Sequence, residues 1–339
     1  MRNAVILITI MAAVLLSLST TQASQERTVE IMRQSAEQGD SESMLFMGYV
    51  YRKGSVVSRD LEIAAKWYKK ASDAGNTEAM NSLAIMYQNG EGVKKDFRQA
   101  IRWYEKAANS GDTNAMFYLG VIYHNGHKDC PRDIQKAAKW FNKAARSGDS
   151  SAMYKLAGMY AAGQGAVQDY TTAVNLYLKS AKSGNVPSMF KLGQIYKYGI
   201  GVVENDDRAY KWFSKAAESG DPDAMNELAR MYQQGRGTYR SSWKAARWYL
   251  RAAQAGQVKA MNSVAEIFFE GSGFSRDTDK AVFWYDSAAR KGNIDSMVAL
   301  ARMYADGIGV RKDKAKATMW YRKAAQAGSK EAKNILALR

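Results

Sequence analysis

Residues 79–111 read AMNSLAIMYQNGEGVKKDFRQAIRWYEKAANSG, and this stretch decides the fold. Met80, Leu83, Ala84 and Tyr87 stand at offsets of 0, 3, 4 and 7, which share one face of a helix. Gly90 follows, able to take the left-handed conformation that ends a helix. Asp96 then precedes a second amphipathic run, and its carboxylate is placed to cap the free amides there. That run carries Ala100, Trp103, Tyr104, Ala107 and Ala108, and Gly111 closes it. The stretch predicts a helix, a tight turn and a second helix, here termed helix A and helix B.

Outward from this unit the pattern recurs. Eight blocks cover residues 41–76, 77–112, 113–149, 150–185, 186–221, 222–257, 258–293 and 294–329, and only the third is longer, by one residue. Met holds the fourth position throughout: Met44, Met80, Met116, Met153, Met189, Met225, Met261 and Met297. A small residue follows four later (Gly48, Ala84, Gly120, Ala157, Gly193, Ala229, Ala265, Ala301), as two closely crossing helices require. The Trp position reads Trp67, Trp103, Trp140, Leu176, Trp212, Trp248, Trp284 and Trp320, leaving Trp243 alone outside the repeat. A period in the thirties marks a helical solenoid, in which each block buries its apolar face only by stacking on its neighbours. The Met, Trp and Tyr stripes therefore read as core, and no cofactor is expected. Replacing a stacked Trp by Ala should cost about 3–5 kcal/mol.

This pattern resembles the Sel1-like repeats, relatives of the tetratricopeptide repeats, over residues 41–329. The second block carries the resemblance most fully, through Ala79, Tyr87, Gly90, Gly92, Val93, Asp96, Ala100, Trp103, Tyr104, Ala107, Ala108 and Gly111. The resemblance implies an all-α, right-handed α/α solenoid of about eight helix-turn-helix repeats. It also implies an adaptor in protein complexes, in bacteria often at the cell envelope or in contact with a host. Cys-rich secreted members, some of them β-lactam binders, pair cysteines within each repeat. Cys130 is the only Cys here, so that activity is not carried over.

The ends differ from the blocks. Residues 1–23 carry Arg2, an apolar run from Ala4 to Leu18 and a small-residue site at Ala23, the pattern of a cleavable secretory signal. The expectation is a periplasmic or secreted protein, with no transmembrane span in the mature chain. Residues 24–40 read as a lone helix B capping the first block, with Ile31-Met32 in place of Trp-Tyr. Residues 330–339 read as a short closing helix A, where Lys333 replaces Met and Leu336 keeps the core contact.

The formal charge is +16, with Lys and Arg crowded on helix B. A solvated outer wall explains this, and so does attraction to an acidic envelope polymer. Export and the lack of a recognised motif argue against nucleic acid.

Helix A should line a concave groove, where residues are free to change from block to block. Its fifth position reads Asn81, Phe117, Tyr154, Phe190, Asn226 and Asn262 across blocks two to seven. Aromatics supply contact area and Asn pairs with backbone groups, so this row suits a bound protein or peptide. Lys155, Lys191, Gln194, Lys197 and Arg230 lie beside it. The competing reading is that the aromatics pack within the wall.

His124, His127 and Cys130 fall on one turn, at the one-residue insertion. They are a weak metal-ligand set, because three ligands on one flexible turn make a poor closed site. A surface loop with a free thiol, or an intermolecular disulfide, are the other readings. No catalytic constellation is present. The G-x-G turns lack the preceding strand of a dinucleotide site, and carboxylate pairs such as Glu266 and Glu270 suit a solvated surface. A non-enzymatic adaptor is expected, with a cell-wall hydrolase as a remote alternative that no residue nominates.

Overall fold

In the turns between helix A and helix B two hydrogen bonds recur, and they set how each helix pair is joined. The capping residue uses its carboxylate on the helix that follows: Asp96 Oδ1 accepts from Gln99 N–H at 3.0 Å. Its own N–H donates back to Tyr87 C=O at 2.9 Å. Asp60, Asp133, Asp277 and Asp313 repeat the first contact, with Asn205 and Ser241 in the same role. Each helix A ends on a glycine, most in the left-handed region, as at Gly90 with φ of 79°.

The structure is a computed structural model and describes residues 21–337. The secretory-signal reading of residues 1–23 therefore lies almost wholly outside the described residues. Helices α1 (Gln22–Glu37), α2 (Ser41–Lys53), α3 (Leu61–Asp73), α4 (Thr77–Asn89), α5 (Phe97–Asn109), α6 (Thr113–Asn125), α7 (Ile134–Arg146) and α8 (Ser150–Ala162) lie in a first compact unit that ends at Asp169. A second unit begins at Tyr170. It holds α9 (Tyr170–Lys182), α10 (Val186–Tyr198), α11 (Asp206–Glu218), α12 (Pro222–Gln234), α13 (Ser242–Gln254), α14 (Val258–Glu270), α15 (Thr278–Arg290), α16 (Ile294–Asp306), α17 (Lys314–Gln326) and α18 (Lys330–Ala337). Each helix in a unit packs on the next, so each unit is a stack of helix pairs, the all-α solenoid architecture. No strand occurs among the described residues.

The core lies between helix A and helix B. Its centre is not the Trp but the aromatic after it: Tyr68, Tyr104 and Phe141 in the first unit, and Tyr177, Phe213, Tyr249, Tyr285 and Tyr321 in the second, are all buried. Trp103 and Trp320 are buried too, whereas Trp67, Trp140, Trp212, Trp248 and Trp284 are only half-buried. Outside the blocks of Trp103 and Trp320, the expected cost of losing a Trp therefore belongs more to the Tyr or Phe beside it. Where helix A carries Gly, that ring lies against its backbone. A Cβ on Gly48 would meet the Tyr68 ring at 2.6 Å, one on Gly120 the Phe141 ring at 2.5 Å, and one on Gly193 the Phe213 ring at 2.6 Å.

The apolar face of helix A includes the expected positions, with Met80, Met116, Met261 and Met297 buried, but extends beyond them. Met44, Met153, Met189 and Met225 are half-buried, while Val50, Met86, Met159, Met231 and Met303 are deep inside. At the ends, α1 buries Met32 and leaves Ile31 outside, following the Trp-Tyr rule. In α18 the buried contact is Ala332 rather than Leu336.

Candidate binding surfaces

Helices A of successive blocks touch through side chains, which defines an inner wall in each unit. In the first unit Asn76 Nδ2 donates to Glu42 Oε1 at 3.0 Å, and Arg52 pairs with Glu91 at 2.9 Å. In the second, Ser296 Oγ donates to Asn262 Oδ1 at 2.6 Å.

The residues expected to form a groove divide between the units. The first unit holds Asn81, Phe117, Tyr154 and Lys155. Phe117 is half-buried, with its ring centroid 5.8 Å from that of Phe141. Tyr154 is half-buried and Lys155 exposed. Asn81 turns its carbonyl oxygen inward, where that atom is buried without a hydrogen-bond partner. Ala115 explains this, because it occupies the position that Ser296 holds in the last block.

The second unit holds Phe190, Lys191, Gln194, Lys197, Asn226, Arg230 and Asn262. Phe190 repeats the geometry of Phe117, its ring 5.7 Å from Phe213. Lys191 and Gln194 are partly exposed and Arg230 is exposed. Two residues do not belong to a free surface. Asn226 is buried, and Lys197 is buried with its ammonium 2.5 Å from Glu227. Arg230 pairs with that same carboxylate at 3.1 Å. Lys197 is thus consumed inside the wall, since an unpaired charge at such a depth is expensive. Asn262 likewise spends its amide on Glu266 at 2.8 Å.

The basic wall of helix B has a structural use that the charge count does not reveal. A cation three residues after the Trp lies over its ring in six blocks: Lys70 on Trp67, Lys106 on Trp103, Lys143 on Trp140, Lys215 on Trp212, Arg251 on Trp248 and Lys323 on Trp320, at 4.2–4.8 Å. A second row puts Lys136, Lys244, Lys280 and Lys316 over Tyr123, Tyr232, Phe268 and Tyr304 near the end of helix A, at 5.2 or 5.3 Å. Each such contact stabilises by about 0.5–1 kcal/mol at an exposed site.

The insertion loop is ordered rather than ligand-like. Gly126 leaves the left-handed helix region for φ of 75° and ψ of 163°. His127 and Cys130 then exchange backbone hydrogen bonds of 2.7 and 2.9 Å. The His127 ring stacks on Phe97 at 3.8 Å, and its Nδ1 accepts from Asp129 N–H. Cys130 is a buried free thiol whose pKa is pushed up by burial. Among the described residues no group of three His, Cys, Asp or Glu is arranged to hold a metal ion, so His124, His127 and Cys130 are not brought together as ligands. Cys130 is buried, so its thiol is largely covered in the folded chain. An open cleft of about 900 Å³ lies beside it, with Arg98, Arg102, Arg132 and Lys136 at its edge.

The family follows from the repeat. The Sel1 repeat family matches all eight blocks, at residues 41–76, 77–112, 113–149, 150–185, 186–221, 222–257, 258–293 and 294–329. The chain is a Sel1 repeat protein. Two solved structures carry the same fold. One, described as a protective antigen present in uropathogenic Escherichia coli strains and displaying an SLR fold, is 36% identical with a TM-score of 0.83 over 90% of this chain. The alignment spans 65% of that longer protein. The other is a Sel1 repeat protein from Oxalobacter formigenes, 33% identical, TM-score 0.74, covering 91% of this chain and 90% of its own. A comparison with curated proteins finds no match. Sel1 repeat proteins generally mediate protein–protein interaction, and their scaffold is typically non-enzymatic. No helix among the described residues is long and apolar enough to cross a membrane.

Proposed function

We propose that this Sel1 repeat protein is an exported, non-catalytic adaptor that holds a protein or peptide partner on its helix-A walls. The observation behind this is a division of labour within helix A. The positions that pack on helix B stay apolar in every block, while the fifth position and its neighbours change freely. Phe117, Tyr154 and Lys155 present such a surface in the first unit, and Phe190, Lys191, Gln194 and Arg230 in the second. Half-buried rings fixed from behind are good contact residues, because little side-chain freedom is lost when a partner covers them.

The pattern of residues 1–23 supports export, and the likeness to an antigen of a pathogenic strain supports an envelope or host-facing location. The N-terminus of the mature protein should then be Ser24, which mass spectrometry would read. The test of the adaptor reading is capture from an envelope extract by the wild type, by Tyr154→Ala/Lys155→Glu and by Lys191→Glu/Arg230→Glu. A partner held by the wild type and lost by either variant supports it. A partner retained by both variants, but released by salt, moves the binding surface to basic helix B and its acidic polymers. Turnover of cell-wall material by the purified protein would overturn the non-catalytic part.

A further inference from the structure

In the second unit the turn between α12 and α13 breaks the repeat in two ways at once. It presents Tyr239 with 93% of its surface exposed and Trp243 with 54% exposed. Trp243 is the one Trp outside the repeat frame, and the other blocks hold Glu62, Arg98, Gln135, Thr171, Asp207, Asp279 and Ala315 at its position. Neither side chain is needed by the fold. The preceding turn lies alongside: a Cβ on Gly237 would strike Asp206 C=O at 2.2 Å, and Arg236 bonds Glu204 and Asp206 at 2.7 and 2.9 Å. Val203, next to Glu204 on that turn, is 88% exposed. Three large apolar side chains therefore project from one edge.

The charge around them is mainly positive, although the blocks on either side place the exposed Asp207 and Asp279 at the Trp243 position. From Glu227 to Glu266 the sequence has no acidic residue between, but carries Arg230, Arg236, Arg240, Lys244, Arg247, Arg251 and Lys259. Glu204 and Asp206 are spent on Arg236. Among the described residues no carboxylate lies within ion-pair distance of Arg240, Lys244, Arg247 or Arg251. Lys244, Arg247 and Arg251 instead lie over Tyr232, Trp243 and Trp248 at 5.3, 4.6 and 4.8 Å.

We infer that this edge docks onto an anionic lipid surface, with Tyr239 and Trp243 seated at headgroup level and Arg240, Lys244 and Arg247 on the lipid phosphates. Tyr and Trp favour the membrane interface because their rings are apolar at one end and polar at the other. Side chains this exposed stand proud of the turn, so they enter a soft medium rather than line a groove. Basic residues on an anionic bilayer each contribute about fivefold in partition. The inference does not depend on the adaptor reading, which concerns helix A.

The test uses the full chain and vesicles with brominated acyl chains, which quench only tryptophans that reach the bilayer. Simple pelleting would not serve, because the apolar run in residues 4–18 could bind lipid by itself, whereas every Trp lies between residues 67 and 320. Quenching is expected with phosphatidylcholine vesicles containing phosphatidylglycerol, and not with phosphatidylcholine alone. Trp243→Phe should abolish it with the helical circular dichroism unchanged. Arg240→Gln/Arg247→Gln, which keeps Trp243 as reporter, should shift the lipid dependence about 30-fold. Quenching that survives Trp243→Phe, or equals that on neutral vesicles, overturns the inference. A Trp243 signal that responds to soluble polyglutamate but not to brominated vesicles also overturns it and assigns the edge to an acidic chain.

Discussion

Gly193→Ala in α10 should destabilise the second unit, against the ordinary expectation for a helix. Ala is favoured over Gly in a helix interior by about 1 kcal/mol. If the site had room, the buried methyl would add about 0.8 kcal/mol. It has none. The new Cβ would stand 2.6 Å from Cδ1 and Cε1 of Phe213 and 2.9 Å from its Cγ. Carbon atoms rest about 3.5–4.0 Å apart, so the ring must retreat by about 1 Å. Phe213 is fully buried, so no open space receives it. Overpacking of this kind costs about 1–3 kcal/mol, which outweighs the propensity gain and leaves a net loss of about 1 kcal/mol. Urea unfolding followed by circular dichroism measures it. Hydrogen exchange should place the loss in α10 and α11, because repeats unfold locally. Phe213→Leu makes room, so Gly193→Ala should cost less in that background by about 0.5 kcal/mol or more. A gain of about 1 kcal/mol from Gly193→Ala alone would refute the argument, since it would show that the ring moves freely.

Three further outcomes are expected. Ala115→Ser should stabilise the first unit by about 1 kcal/mol, because it gives the orphaned Asn81 oxygen the hydroxyl that Ser296 gives Asn262; an unchanged urea midpoint would count against that pairing. Cys130 should react with a thiol reagent at pH 8 far more slowly in the native protein than in urea, since burial both covers the thiol and raises its pKa; equal rates would show the loop to be open. Burial pushes Tyr68 up to about 12 and Tyr123 likewise, with Tyr104, Tyr249 and Tyr285 also raised, so the neutral phenols stabilise the fold fully below the free tyrosine pKa near 10 and progressively less as pH climbs towards 12. A pH titration of the 295 nm phenolate absorbance should therefore lag behind that of the unfolded chain, and a coincident curve would refute the burial.

The repeat frame was legible because each of its signals has one cheap physical meaning. Gly90 and its equivalents can only end a helix well, and Asp96 and its equivalents can only start one well. The small residues of helix A marked the close crossing correctly, as Gly48, Gly120 and Gly193 show. What the pattern did not separate was the two members of the aromatic pair. Trp and Tyr stand side by side on helix B, about 100° apart, so periodicity alone leaves open which of them points straight at helix A. Size misled the reading, because the larger Trp looked like the better core residue. The cation one turn after the Trp does not separate them either, because it lies over the buried Trp103 and Trp320 as well as over the half-buried Trp67, Trp140, Trp212 and Trp248.

The candidate surfaces were less legible, for a reason that lies in contacts across blocks. Lys197 and Glu227 are thirty residues apart, and so nothing local tells that this Lys is buried while Lys155 is free. Asn226, Asn262 and Asn81 occupy one repeat position yet differ in their surroundings, and only Asn262 finds a hydroxyl at the third position of the next block, where Ser296 stands against Ala260 and Ala115. A position free to vary is thus not the same as a position free to bind.

The same distinction shows why block six stands out. In most blocks the basic residues of helix B cover an aromatic ring, so their charge is explained before any ligand is invoked. Around Tyr239 and Trp243 the relation holds only in part, because Arg247 lies over Trp243 yet both rings stay exposed, and Arg240 lies over no ring. A solenoid gains nothing from placing Trp243 where the other blocks tolerate Glu, Arg, Gln, Thr, Asp or Ala. Exposed Trp and Tyr lower solubility and return no packing energy to the free protein. The frame therefore accounts for the helix-B charge as a whole and leaves this one edge unexplained by folding, which is where a docking role is to be sought.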